Sequence, residues 1–125
     1  AEAFTMGSHG STFGGNPVCC AAAYAQIGEL LDNGMADNAK KMGELLKKKL
    51  SELPHVKEVR GKGLMVGVEL DAPVGLAVKQ GCAERKLLVT LIGDRVIRLL
   101  PPLIVTEEEC GKACEILRSS IQAAV

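Results

Sequence analysis

The sequence predicts an α+β fold, a small, mainly antiparallel sheet with helices packed on one face. Three observations lead there. Helix-period and period-two segments succeed one another as helix, helix, two strands, helix, two strands, helix. The strand runs are short and come in pairs, joined through Gly61-Lys62-Gly63 and Gly93-Asp94. The 125 residues are 47% apolar, enough for one modest core without disulfides or metal as staples.

The first helix opens at Asn16-Pro17, an N-cap residue followed by proline at the first helical position, and stops near Asn33-Gly34. Residues 18–25 are nearly all apolar, which predicts burial on most sides. A second helix spans about Ala36 to Leu53, with Met35, Ala39, Met42, Leu45, Leu46, Leu50 and Leu53 as its apolar stripe. Its lysines fall largely off that stripe and read as a solvated face. After Pro54 the period becomes two. Val56–Arg60 is a short strand, and Leu64, Val66, Val68 and Leu70 alternate with Met65, Gly67 and Glu69 as a half-buried one. Asp71 is the expected cap of a third helix from about Pro73 to Lys86, with Leu76, Ala77, Gly81 and Cys82 on its packed side. Leu87–Ile92 and Arg95–Leu100 form a hairpin across Gly93-Asp94, and Pro101-Pro102 ends the sheet. Thr106 with Glu109 is a capping box for a final helix, roughly 107–123, whose stripe is Cys110, Ala113, Cys114, Leu117 and Ile121.

Fifteen basic and fifteen acidic side chains cancel, and the three aromatic residues, Phe4, Phe13 and Tyr24, all lie in the first 24 positions. That balance argues against a single-stranded nucleic-acid platform, which needs a basic groove and stacking surfaces. The ring-free remainder must build an aliphatic core. Five cysteines, an odd number without a secretory leader, read as reduced thiols of a cytoplasmic protein. Neither His9 nor His55 joins them at metal-ligand spacing, so no metal is expected. No apolar run approaches the roughly 20 residues needed to cross a bilayer.

Three residues stand out chemically. In Gly7-Ser8-His9-Gly10-Ser11-Thr12-Phe13-Gly14-Gly15 the glycines allow close backbone approach to an anion, and the hydroxyls of Ser11 and Thr12 can donate to phosphate oxygens. The spacing fits neither the dinucleotide fingerprint nor the Walker A loop, so from the residues alone the segment reads first as a flexible lead-in loop, with Met-Gly-Ser-His also resembling an expression-tag remnant and phosphate binding as the further reading. Arg98 sits in the otherwise apolar Val96-Ile97-Arg98-Leu99-Leu100. A guanidinium there must snorkel or meet an anion; taken singly it reads first as a structural salt bridge, with a substrate carboxylate as the other partner. Arg60 reads as structural. No nucleophile can be matched with a base.

Taken together, HGSTFGGNP with its Ala/Cys-rich helix, VRGKGLMVGVEL and VIRLLPPLIVTEEE resemble the class III pyridoxal-phosphate aminotransferases. The GSHGSTFGG form looks more like the acetylornithine branch than the 4-aminobutyrate branch, and the likeness covers essentially the whole chain. It implies the C-terminal segment of a fold-type I enzyme. Residues 1–16 would be a Gly-rich loop of the cofactor site and dimer interface, 17–34 a connecting helix, and 35–125 the C-terminal small domain. Thr12 matches the threonine that reaches the phosphate of pyridoxal 5'-phosphate in the neighbouring subunit of a homodimer. Ser11 matches a position lining the acetylornithine site, and Arg98 the arginine that binds the carboxylate of glutamate or 2-oxoglutarate. The implied reaction moves the amino group of N-acetylornithine to 2-oxoglutarate, a step of arginine biosynthesis. Ornithine, succinylornithine and 4-aminobutyrate enzymes are the alternatives. The family's Schiff-base lysine precedes the HGST loop, and none of the ten lysines here has its context, so the chain alone is expected to be inactive. A non-catalytic binding or structural module is the reading of a different class.

Overall fold

The computed structural model describes residue 3 and residues 5–125, and Phe4 lies outside them. The chain divides into two compact units, Ala1–Asn33 and Gly34–Val125.

The first unit carries α1, Pro17–Asp32. Asn16 caps it by accepting the Cys19 N–H at 3.1 Å, and Pro17 takes the first helical position, where its missing N–H costs no hydrogen bond. The predicted burial of residues 18–25 is corrected: α1 buries none of its residues, and Val18, Tyr24 and Leu31 are 78%, 83% and 77% exposed. A helix apolar all round buries itself only against a second apolar layer, and among its described residues this unit offers just a Gly, Ser and Thr-rich loop.

The second unit runs α2 (Met35–Ser51), β1 (Val56–Lys62), β2 (Met65–Leu70), α3 (Gly75–Glu84), β3 (Thr90–Ile92), β4 (Val96–Leu99) and α4 (Glu107–Ala124). The four strands form one sheet in the order β1-β2-β4-β3, every neighbour antiparallel. Val66, Val68 and Leu70 of β2 and Ile97 and Leu99 of β4 are buried on one face. They meet Met42, Leu46 and Leu50 of α2, Val78 and Cys82 of α3, and Cys110, Leu117 and Ile121 of α4 in a single core. Helices therefore cover one face of the sheet. The intervening residues of the central strands, Gly67 and Glu69 on β2 and Val96 and Arg98 on β4, occupy the opposite face and are half-buried.

Two local expectations are corrected in α3. The helix starts at Gly75, after a Val74 N-cap that makes no side-chain bond. Asp71 is engaged elsewhere, its carboxylate 3.1 Å from His55 Nδ1 and its carbonyl accepting from Arg95 at 2.8 Å. The buried side of α3 is Gly75, Val78 and Cys82, whereas Leu76 is 60% exposed and Ala77 is exposed. The strand expected over Leu87–Ile92 pairs only from Thr90, because Leu87 N–H is bonded to the Cys82 carbonyl at the end of α3. The capping box is present as predicted: Thr106 Oγ1 accepts from Glu109 N–H, and Glu109 Oε2 accepts from Thr106 N–H at 2.8 Å.

Candidate functional site

The residues singled out from sequence lie in two places, Ser11 and Thr12 in the first unit and Arg98 in the second. In the loop, Ser8 donates both its N–H and its hydroxyl to the Thr5 carbonyl, and Ser11 Oγ accepts the Gly14 N–H at 2.9 Å. Asn16 then bonds back to the Phe13 carbonyl through its N–H and its amide. Gly15, at φ 74, makes the reversal between these turns, a conformation that L side chains rarely adopt. The loop is thus a succession of short turns leading into the α1 N-terminus. The Ser11 oxygen is already an acceptor, which leaves its proton free to donate. Thr12 is exposed, and its hydroxyl has no hydrogen-bond partner among the described residues. A hydroxyl pair on a turn-rich glycine loop, just before a capped helix N-terminus, fits a phosphate ester.

Arg98 stands on β4 directly opposite Gly67 of β2 on one side and Thr90 of β3 on the other. Directly opposed residues share a face, so its side chain belongs to the side of the sheet turned away from α2, α3 and α4. The salt bridge that the sequence favoured is absent: Arg98 forms no ion pair among the described residues, and its Nε is buried without a hydrogen-bond partner. A buried donor left unmade costs about 1–3 kcal/mol, more when charged.

Arg60, opposite Gly67 on β1, differs in this respect. Its guanidinium donates to Glu69 at 2.8 Å and to Glu58 at 3.1 Å. Lys57 adds a 2.8 Å bond to the other Glu69 oxygen, and these two cations hold the Glu69 carboxyl below the usual carboxylate range. Arg60 is therefore structural, as the sequence reading had it. Of the two guanidiniums flanking Gly67, Arg98 is the available one. Sequence inspection cannot show that Gly67 separates them, because only the strand register brings residues 60, 67 and 98 into one row.

The helical side holds an apolar cleft of about 330 Å³, lined among others by Leu46, Leu87, Leu99, Pro101, Val105 and Cys110. It contains no reactive pair. Burial pushes the Cys110 thiol up, and Glu109 at its rim is committed to the Thr106 cap. Of the ten lysines eight are exposed, and Lys47 and Lys49 are half-buried. Among the described residues no three His, Cys, Asp or Glu side chains converge as a metal site.

Fold and surface together define an α+β domain with a buried, unbonded Arg98 Nε on its sheet, and a separate leading unit that carries a glycine-rich loop with two hydroxyls. The comparisons with known proteins place it further: residues 1–121 match the family model described as Aminotransferase class-III, and the chain belongs to that family. It is 44% identical over 121 residues to acetylornithine aminotransferase 1 of Bordetella pertussis, covering 94% of this chain and 30% of that protein. It is 43% identical over 126 residues to ornithine aminotransferase 2 of Staphylococcus aureus, covering 97% and 31%. Among solved structures it superposes on the ornithine aminotransferase of Toxoplasma gondii with a TM-score of 0.84 at 35% identity, covering 98% of this chain and 30% of that one. The acetylornithine aminotransferase of Elizabethkingia anophelis gives 0.83 at 32%, covering 98% and 34%. The chain thus spans about a third of the length of the proteins it matches. No helix among the described residues is long and apolar enough to cross a membrane.

Proposed function

We propose that this chain is the substrate-carboxylate and cofactor-phosphate portion of an aminotransferase that moves the amino group of N-acetylornithine to 2-oxoglutarate in arginine biosynthesis. The observation that carries the reading is the unpartnered Nε of Arg98 on the open face of the sheet. A planar fork of donors is matched by a carboxylate, the group that glutamate and 2-oxoglutarate share with every amino-acid donor. The acetylornithine assignment draws on the GSHGSTFGG loop and on the Bordetella relative. Ornithine is the second reading, favoured by the Staphylococcus relative at nearly the same identity.

Pyridoxal 5'-phosphate, when bound, would supply the electron sink for bond cleavage at the amino carbon. The Toxoplasma structure describes partial occupancy of PLP at that protein's active site. Here the residues suited to hold its phosphate are Thr12, through a free hydroxyl, and Ser11, which can donate toward phosphate or substrate while its oxygen keeps the Gly14 N–H. In our reading residues 1–16 serve the cofactor site of a partner subunit in a homodimer, 17–34 connect, and 35–125 form the small domain. Arg98 orients the substrate by its carboxylate. In our reading the proton transfer at the substrate carbon falls to a lysine outside these 125 residues, because none of the ten here stands in the sequence context of the family's Schiff-base lysine. We accordingly expect the 125 residues alone to be inactive, in the cytoplasm or elsewhere.

The decisive assay is turnover by the full-length protein with 2-oxoglutarate against N-acetylornithine, ornithine, succinylornithine and 4-aminobutyrate. A kcat/KM for N-acetylornithine at least tenfold above the others supports the assignment. A preference for ornithine replaces it with the second reading, and absence of any transamination points to a non-catalytic module.

A further inference from the structure

Gly67 is a glycine that the fold does not require. It lies in the middle of β2, where glycine weakens a strand by its backbone entropy and its lack of a packing side chain. Its backbone is outside the left-handed region, so no turn demands it. A Cβ built there meets Val96 Cγ1 at 3.7 Å, the Arg60 carbonyl at 3.8 Å and Arg60 Cγ at 4.0 Å, all ordinary contact distances. Gly43, Gly61 and Gly75 are different. A Cβ on each would run into main-chain atoms, of Gly63, Met65 and Asp94 respectively, so close packing accounts for them.

What Gly67 does have is position. It is directly opposite both Arg60 and Arg98, on the sheet face turned away from α2, α3 and α4. Arg60 is held to Glu58 and Glu69, while Arg98 is unpaired. Opposed Cβ atoms on neighbouring strands lie about 4.5–5.5 Å apart, so branched methyls at position 67 would reach beyond the Val96 and Arg60 contacts toward the Arg98 stem on the same face. A strand-interior glycine with room for a side chain signals that something else approaches the backbone closely.

We propose that Gly67 is a specificity-determining residue: its bare backbone is the floor on which a short dicarboxylate lies while one carboxylate engages Arg98. The inference rests on the carboxylate-binding reading of Arg98 and deepens it.

The test uses the full-length protein and glutarate, a dicarboxylate with no oxo or amino group to react. Its binding is measured by titration calorimetry in the wild type, Gly67→Ala, Gly67→Val and Arg98→Ala, with thermal melts of each. We expect a dissociation constant raised at least tenfold in Gly67→Val, a smaller rise in Gly67→Ala, loss of binding in Arg98→Ala, and a Gly67→Ala melting temperature at or above that of wild type. Wild-type affinity in both Gly67 variants, with binding lost in Arg98→Ala, overturns the role of Gly67 and leaves Arg98 in place. Unchanged binding in Arg98→Ala overturns the carboxylate reading and this inference with it. Should Gly67→Val melt early, Gly67→Ala and Gly67→Ser decide: affinity unchanged in both sinks the proposal, and a graded loss with side-chain size sustains it.

Discussion

Thr106 and Glu109 satisfy each other's N–H groups at the start of α4, and the acidic first turn of Glu107, Glu108 and Glu109 faces the positive end of the helix dipole. Thr106→Ala should cost about 1 kcal/mol, read as a lower urea midpoint of the chain. The Glu109 carboxyl lies below its usual range because the Thr106 N–H and hydroxyl bond to it. A depressed folded value means that its contribution is present above the ordinary carboxylate range and fades as pH falls through the folded value. The midpoint gap between wild type and Glu109→Ala should therefore be full at pH 7 and shrink below about pH 4. The thiols behave oppositely. Burial pushes Cys114 up to about 11 from 9.0, so its contribution is intact below pH 9 and is lost as pH rises toward 11. Ellman's reagent at pH 8 should titrate Cys19 and Cys20 rapidly in the chain and reach Cys82, Cys110 and Cys114 only on unfolding. Five fast thiols in the folded protein would falsify the buried placement of the last three.

Among the elements, the contrast between two glycines is the sharpest check on how the layers meet. Gly43 lets α2 rest on the turn between β1 and β2, where an added Cβ would strike the Gly63 carbonyl. Gly43→Ala should lower stability by about 1–3 kcal/mol, the usual cost of forcing extra volume into packed backbone. Gly67→Ala should raise it by about 0.5–1 kcal/mol, because a strand gains from losing glycine where a Cβ fits. Chemical denaturation of the two variants checks both signs. Element order, the caps of α1 and α4, and the alternation of β2 were all legible beforehand, because caps and periodicity are local. The start of α3 was not. Asp71 is a good N-cap residue by type, yet His55 and Arg95, 16 and 24 residues away, take its side chain and carbonyl. Ser120 was also missed. It is buried on α4 against Gly81 of α3, its hydroxyl satisfied by the Ile116 carbonyl at 2.8 Å; its place three residues after Leu117 puts it on the apolar stripe, but its polarity masked it.

For the molecule as a whole, the open sheet face and the exposed apolar residues of α1 have the same explanation in our reading. Both are surfaces that a protein about three times this length would use. The expected outcome with pyridoxal phosphate follows: the 125-residue chain shows no transaminase turnover, and the full-length protein does. Turnover by the short chain, with one site-specific lysine adduct after borohydride reduction, would refute the division of labour proposed here.

The sequence by itself determined the elements, the aliphatic core and the family, because periodicity, capping and motif order are carried by residues close together in the chain. It also named Arg98, as a charge in an apolar strand. Whether that charge is paired was decided only by the tertiary structure. The register of three antiparallel strands puts Arg60 among its carboxylates, leaves Arg98 Nε without an acceptor, and sets Gly67 between them. Charge pairing acts through space over a few ångströms, and strand order, which brings distant segments into one row, is a property of the folded sheet.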